Sequence, residues 1–293
     1  MRITQNMTYN TYINDIMRRQ EALNGLNKQL STGKKVNAPS DDAVGAATIL
    51  TSKSLLSSLG QYQRNIESGY TRLNLSEKAL AGVKDVLTSI KEIAVLSATG
   101  TADAASRANS AVVVSNLYDE LVSLGNMEIG GQYLFSGFKT DTPAFSATGA
   151  FQGDANKQEV RINASSSISI GVNGGEVFKG TGGGTDIFQT VSDLITALNS
   201  DDTAGIEASI GALDASFNQV SGAVADIGGK VKRLQAAEET LTTAHYEVRS
   251  IISNLEDADI AEVISELKLG QIALEAALTS AGKVFSTNIF NYI

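Results

Sequence analysis

Residues 206–255, IEASIGALDASFNQVSGAVADIGGKVKRLQAAEETLTTAHYEVRSIISNL, carry the pattern that decides the fold. Steps of four and three residues along this stretch reach an apolar side chain at every position except Glu238 and His245. The positions are Ile206, Ile210, Leu213, Phe217, Val220, Val224, Ile227, Val231, Leu234, Glu238, Leu241, His245, Val248, Ile252 and Leu255. A 3.5-residue period held this long is typical of a helix packed lengthwise on another helix, here roughly 75 Å long.

A second stretch with the same spacing supplies a partner for this helix. Its positions are Leu59, Tyr62, Ile66, Gly69, Leu73, Ser76, Leu80, Val83, Leu87, Ile90 and Ala94. A third helix is predicted over residues 103–128, and a short fourth one begins at Asp186, whose carboxylate suits an N-cap. The sequence therefore predicts a mainly α fold, an elongated antiparallel helical bundle or coiled coil.

The middle of the chain differs in composition from both flanks. Residues 125–184 hold 13 of the 27 glycines, and apolar residues alternate with polar ones around Val160 and Ile168. Alternation is the period of a half-buried strand, and Asn173-Gly174 favours a tight hairpin turn. The glycine-rich residues 179–186 are predicted to be a flexible return to the helices. We therefore expect a small inserted β-rich domain over residues 131–185.

The two ends of the chain are amphipathic and oppositely charged. Residues 1–35 carry six bases and two acids, a net of +4, whereas residues 256–293 carry six acids and two bases, a net of −4. We expect these ends to pair with each other, with neighbouring subunits, or with both. The predicted assembly interface consists of Ile13, Ile16, Leu23, Leu30, Ile260, Ile264, Leu267, Leu274, Leu278 and Phe285.

These patterns divide the chain into three predicted domains. Residues 1–40 and 256–293 form a terminal helical domain, and residues 41–130 and 186–255 form the long bundle. Residues 131–185 form the β-rich domain. The outer boundaries separate the oppositely charged ends from the bundle, and the inner boundaries follow the change from helical to alternating spacing.

Composition excludes several classes of function. The formal net charge of −9 argues against nucleic-acid binding, and no apolar run is long enough for a transmembrane helix or a secretory signal peptide. With no cysteine and one histidine, His245, the chain offers no thiolate metal site, no His-rich site and no paired imidazoles. We predict no catalytic residue, no metal and no cofactor, and therefore a structural protein rather than an enzyme.

Two terminal motifs carry a family resemblance. Residues 30–42, LSTGKKVNAPSDD, and residues 253–262, SNLEDADIAE, resemble the N- and C-terminal signatures of the bacterial flagellin family. In the first motif a glycine is expected to end a helix, a proline to extend the chain, and Ser40 with Asp41 to cap the next helix. The motif residues are Gly33, Asn37, Pro39, Ser40, Asp41, Asp42, Glu256, Asp257 and Asp259.

A third motif indicates which members of that family the chain resembles. Residues 131–145, GQYLFSGFKTDTPAF, resemble the members of that family that join the flagellar hook to its filament. The resemblance implies a structural adaptor that leaves the cytoplasm by type III export and assembles into an extracellular tubular layer. Its implied partners are other copies of itself, hook-associated protein 1, flagellin, and an export chaperone at the C-terminal segment. The alternatives are flagellin itself and a non-flagellar exported helical binding module.

Overall fold

Seven helices and two small hairpins make up the described part of the chain, residues 5–100 and 102–289 of a computed structural model. The helices are α1 (Gln5–Thr32), α2 (Ala43–Ala98), α3 (Ala104–Gly125), α4 (Gly174–Lys179), α5 (Ile187–Asn199), α6 (Thr203–Glu256) and α7 (Ile260–Ile289). The strands are β1 (Glu128–Ile129), β2 (Gln132–Tyr133), β3 (Glu159–Arg161) and β4 (Ser167–Ser169). The predicted mainly α bundle with a small β insertion is confirmed.

Two compact units divide the chain, and α2 and α6 contribute to both. The terminal unit comprises residues 1–58 and 243–293, and the central unit comprises residues 59–242. Within the central unit α2 and α6 lie antiparallel, because Lys84 places its Nζ 4.9 Å from the Phe217 ring centroid and Lys91 pairs with Asp214. Of the α6 positions reached by the four-and-three spacing, every seventh one is buried there: Ile206, Leu213, Val220, Ile227, Leu234 and Leu241.

The β insertion consists of two separate antiparallel hairpins in the central unit. β1 and β2 are joined by Gly130 and Gly131, whose φ angles of 58° and 78° suit a two-residue hairpin turn. In the second hairpin β3 pairs with β4, with Val160 opposite Ile168.

The predicted hairpin turn at Asn173-Gly174 is wrong. Asn173 instead caps α4, because its side-chain oxygen accepts hydrogen bonds from the backbone N of Gly175 at 2.8 Å and of Glu176 at 3.4 Å. An asparagine side chain satisfies the free N–H groups of a helix start as readily as it favours a turn, so the dipeptide alone does not decide between them.

Four phenylalanines form the centre of the core beneath these hairpins. The rings of Phe135, Phe145, Phe178 and Phe188 are fully buried, and their contacting centroids lie 5.0–5.8 Å apart. Gly125 passes so close to Phe145 that a Cβ there would lie 2.8 Å from Cδ2 of the ring. This aromatic cluster ties α3, α4 and α5 to the residue 131–145 segment.

The glycine-rich return is fixed rather than flexible. Gln219 of α6 accepts a hydrogen bond from the Thr185 backbone N at 2.8 Å, and its Nε2 donates to the carbonyls of Val177 at 2.8 Å and Thr185 at 3.0 Å. The next helix, α5, begins as predicted, with Asp186 accepting from the Gln189 backbone N at 3.1 Å. One amide side chain therefore holds both ends of the loop to α6.

We expect Gln219→Ala to lower the free energy of unfolding of the central unit by about 1–3 kcal/mol, since partly buried backbone groups lose their partners. Urea unfolding measures this loss, and the Thr185 amide should exchange its hydrogen faster. The matched control is Gln235→Ala, at an exposed position of the same helix. Equal stability of the two variants would contradict the assigned role.

In the terminal unit α1 and α7 pack antiparallel, so the two ends pair with each other, which the sequence analysis gave as one of its alternatives. Leu23 is buried, and a Cβ on Gly270 would lie 2.8 Å from its Cδ2. Leu267 and Leu274 lie one turn on either side of Gly270, so they belong to the same face of α7. Both are half-buried, as are Ile16 and Leu30 of α1.

Candidate assembly site

The two terminal motifs meet in the structure, although more than 200 residues separate them. Gly33 has a φ of 68° and follows α1, so the chain can turn there without the steric cost that a side chain would add. The Gly33 carbonyl then accepts a hydrogen bond from Ala258 N at 2.9 Å, and Lys35 N donates to the Glu256 carbonyl at 2.6 Å. This short antiparallel bridge joins the end of α1 to the segment between α6 and α7.

Glu256 is the charged centre of this junction. Its carboxylate is 8% exposed, and Oε1 lies 2.7 Å from the Nζ of Lys34 and 2.7 Å from the Nζ of Lys53. Hydrogen bonds from Lys34 and then Lys53 hold the pKa of Glu256 below its usual range, and the Glu256 carboxylate raises the pKa of Lys34. One carboxylate therefore links α2 and α6 to Lys34, the second residue after α1.

The lowered pKa makes the junction sensitive to acid. A carboxylate with a lower pKa in the folded state stabilises that state above its unfolded pKa, about 4.3 for glutamate, and this stability disappears as the pH falls through the folded value. We expect residues 30–40 to become accessible to pepsin as the pH falls below the unfolded value of about 4.3. A brief pulse of pepsin at a series of acid pH values, read by mass spectrometry, measures this opening. Unchanged protection of residues 30–40 down to pH 2 would contradict it.

The loop between α1 and α2 is built by two aspartates with different roles. Asp41 Oδ2 accepts hydrogen bonds from the backbone N of Asn37 and of Ala38, each at 2.9 Å, and these bonds lower the pKa of Asp41. Asp42 Oδ1 accepts from Val44 N at 3.1 Å and Gly45 N at 2.9 Å. The predicted cap by Ser40 and Asp41 is therefore corrected: Asp42 caps α2, while Asp41 closes the preceding loop.

The remaining motif residues also fix the backbone. Asn37 Nδ2 donates to the Lys34 carbonyl at 2.8 Å, and Pro39 and Ser40 lie exposed at the loop surface. Asp257 accepts from the Ser253 hydroxyl at 2.5 Å. Asp259 caps α7, because its Oδ1 accepts from Ala261 N at 2.9 Å and Glu262 N at 3.2 Å.

The predicted interface residues fall into two groups. Those turned to the α1–α7 contact are Leu23, which is buried, and Ile16, Leu30, Leu267 and Leu274, which are half-buried. Those left exposed are Ile13, Ile260, Ile264 and Leu278. The side chain of Phe285 lies outside the described residues. The predicted interface thus combines residues that face the partner helix with residues that do not.

Sequence reasoning missed a further apolar face on α7. Leu269 and Ile272 are each 64% exposed, and Met17 of α1 is exposed to the same extent. Val263, on the face that meets α1, was missed as well and is buried. The signal was available, because α7 has apolar residues on every side, which is typical of a helix enclosed by several neighbours.

Two further searches concern the part of the chain that the structure describes. Within residues 5–100 and 102–289 no group of three or more His, Cys, Asp or Glu side chains could hold a metal ion. Among these same residues, none of the helices has the length and apolar character needed to span a membrane.

Comparison with known proteins identifies the protein family to which the chain belongs. Residues 3–140 match the bacterial flagellin N-terminal helical region, and residues 210–293 match the bacterial flagellin C-terminal helical region. The chain belongs to the bacterial flagellin family, as its terminal motifs indicated. It is similar to flagellar hook-associated protein 3 of Escherichia coli K12, with 28% identity over 300 residues that cover 94% of this chain and 95% of that one.

Two further relatives show the range of the family. Flagellin of Bacillus subtilis strain 168 is 28% identical over 291 residues, covering 94% of each chain. A solved structure described as a flagellar hook-associated protein of Vibrio parahaemolyticus superposes with a TM-score of 0.69. That likeness covers 74% of this chain and all of the other at 24% identity, and it supports the fold.

Proposed function

We propose that this protein is a structural adaptor that joins the flagellar hook to the flagellin filament. In this proposal it contacts hook-associated protein 1 on one side, flagellin on the other, and copies of itself within a tubular layer. The single observation that carries an assembly function is the exposed apolar face of α7, marked by Leu269 and Ile272. Exposed apolar surface of this kind marks interfaces with other chains.

The packing of the terminal unit explains why α7 needs further partners. Its contact with α1 covers the face that holds Val263 and Gly270, which leaves the opposite side apolar and open. Covering one exposed leucine contributes about 1.5–3 kcal/mol, so two such residues in each subunit give a repeated assembly a substantial driving force. The opposite charges of the two ends favour contacts between unlike surfaces of neighbouring copies.

A junction role is favoured over a filament role by the residue 131–145 segment and by the relatives named hook-associated protein. This segment is anchored inside the central unit, where Arg72 Nη2 donates to the carbonyls of Tyr133 and Leu134 at 3.2 Å. The similarity to Bacillus subtilis flagellin keeps one alternative open, in which this chain is itself the filament subunit.

An adaptor requires two dissimilar axial faces. Contacts of unlike surfaces are heterologous, so a stack of subunits can change its composition from one layer to the next. We assign the terminal domain, residues 1–40 and 256–293, to the inner tube, the bundle domain to the surrounding shell, and residues 131–185 to the outside. The chain would reach this place by type III export, with a chaperone on its C-terminal segment until then.

Deletion of the gene tests the function and separates the two roles. Electron microscopy of the mutant cells is combined with an assay for flagellin in the medium. Bare hooks with flagellin shed into the medium support the adaptor. Bare hooks without any flagellin show that this chain forms the filament. Normal filaments exclude both roles, provided that no second gene copy is present.

A further inference from the structure

The helix pair of the terminal unit leaves an apolar surface exposed on each of its two helices. Leu269 and Ile272 define the outer face of α7, and Ile13 and Met17, which are 43% and 64% exposed, define the outer face of α1. Met17 lies about 120° around the helix from Leu23, the buried α1 residue that meets α7. Both outer faces therefore remain exposed when α1 and α7 pack against each other within one chain.

Charged side chains lie beside both outer faces. On α1, Glu21 and Lys28 follow Met17 at spacings that keep all three on one side of the helix. On α7, the charges at the outer face are those of Lys268 and Glu262. All four charged side chains are exposed, and none of them forms an ion pair within residues 5–100 and 102–289. Their charges are therefore free to meet those of another chain.

The spacing of apolar and charged residues on the two outer faces matches in one antiparallel register. Met17 and Lys28 lie about 16.5 Å apart along α1, and Ile272 and Glu262 lie about 15 Å apart along α7, at about 1.5 Å per residue. When Met17 lies opposite Ile272 in an antiparallel pair, Lys28 therefore lies opposite Glu262 to within one residue. One apolar contact and one contact of opposite charges form together.

The same register matches two more positions. Glu21 comes to lie opposite Lys268, which gives a second contact of opposite charges. Ile13 comes to lie opposite Ala276, a small and exposed residue of α7 that leaves room for the isoleucine side chain. The two outer faces are thus complementary over four positions.

A shift of one heptad keeps the same faces in contact but reverses the match of charges. It sets Glu21 against Glu275 and Lys28 against Lys268, two contacts of like charge. A shift in the other direction carries Lys28 beyond Ile260, the first residue of α7. Like charges in opposition disfavour a register, as charges beside the seam of a coiled coil do. Charge therefore selects the register in which Met17 meets Ile272.

We propose that the outer face of α1 of one copy packs antiparallel on the outer face of α7 of a second copy of this chain, in this register. The inference rests on the self-assembly in the proposed function and names the surface that covers the outer face of α7. Each copy carries both faces, and the faces differ, so the contact is heterologous and links each copy to the next in a ring or helical tube. Copies related by rotation about one axis run in the same direction along it, which makes α1 of one copy antiparallel to α7 of the next.

Cross-linking in isolated flagella tests this register, because the chain has no cysteine of its own. The double variant Met17→Cys/Ile272→Cys is expressed in the deletion strain, and its flagella are oxidised and separated on a non-reducing gel. We expect a ladder of dimers, trimers and longer disulfide-linked chains. The control, Met17→Cys/Thr279→Cys, moves the second thiol by one heptad to another exposed position, about 10 Å away and beyond the reach of a disulfide.

The control variant should give about tenfold less ladder, because only the predicted register brings the two thiols to a high effective concentration. Equal ladders from the two variants overturn the register. No ladder in flagella that contain the Met17→Cys/Ile272→Cys variant assigns the outer face of α7 to a different protein, and overturns the proposal as well.

A charge exchange tests the same register without cysteine. Glu21→Lys sets two lysines against each other in every contact, so about half or more of the hooks should stay bare in the complemented deletion strain. Adding Lys268→Glu to the same chain restores opposite charges and should restore filaments. Circular dichroism of the purified variants should match that of the wild type, because both positions are exposed. Normal filaments with Glu21→Lys alone, or no rescue by the second substitution, overturn the contact.

These outcomes separate the contact from the proposed function. Normal filaments with Glu21→Lys, in a strain whose deletion leaves bare hooks, overturn the contact and leave the adaptor role intact. Normal filaments in the deletion strain itself overturn the adaptor role, and purified chains then decide the contact. Full-length Met17→Cys and Ile272→Cys chains with tags of different size are mixed and oxidised, and a yield of mixed disulfide no greater than with Thr279→Cys overturns it.

Discussion

Replacing Leu269 by aspartate is expected to abolish incorporation into the flagellum while both units stay folded. Leu269 is 64% exposed on the face of α7 opposite its contact with α1, so a carboxylate is tolerated in the free protein. In the assembly it would be buried without a partner, and the leucine contribution of about 1.5–3 kcal/mol would be lost in every subunit. Complementation of the deletion strain, followed by electron microscopy, measures the effect.

Two comparisons show whether the loss concerns assembly alone. Leu269→Met retains the apolar surface and should restore filaments. Leu267→Asp changes the half-buried face that meets α1, so it should loosen the α1–α7 pair in the free protein as well as prevent incorporation. Circular dichroism and proteolysis of purified chains distinguish the two aspartate variants. Filaments of normal length with Leu269→Asp would refute the assignment of this face to assembly.

The second large effect is expected for Glu256→Gln. The substitution keeps the shape of the side chain but removes the charge that Lys34 and Lys53 share. Hydrogen bonds to charged groups contribute about 1.5–3 kcal/mol, so the open form of the terminal unit should become about 10- to 150-fold more populated. Tryptic cleavage in the terminal unit should accelerate by the same factor, since cleavage follows the open population.

The control for this variant is Glu266→Gln, which removes a charge from an exposed position of α7. It should leave the cleavage rate within about twofold of the wild-type rate, because isolated surface charges contribute little to stability. Identical cleavage of the two variants would show that the Glu256 junction does not hold the terminal unit closed.

Apolar spacing predicted the helices of this protein well, for a physical reason. A residue such as Leu213 must be buried if its helix packs lengthwise on another, so the period appears directly in the sequence. On α7 the face that meets α1 was harder to predict, because apolar residues surround the helix and spacing alone cannot choose between Ile264 and Val263. The burial of Val263 and the close approach of Leu23 to Gly270 settle which face meets α1.

Polar contacts were harder to predict because their partners are distant or interchangeable. The motif around Glu256 could be recognised, but not that its carboxylate binds Lys53, 203 residues away. Adjacent acids such as Asp41 and Asp42 offer the same chemistry, and the local backbone decides which one caps a helix. The amide of Asn173 posed the same ambiguity between a turn and a cap.

The long sequence separation at Glu256 has a consequence for the order of folding. The bridge between Gly33 and Ala258 brings together residues from opposite ends of the chain, so it closes only after nearly the whole polypeptide is available. A chain that emerges gradually through a narrow passage, or one that is cut short, lacks one half of this junction. We therefore expect a chain that ends before residue 256 to leave the end of α1 without this bridge.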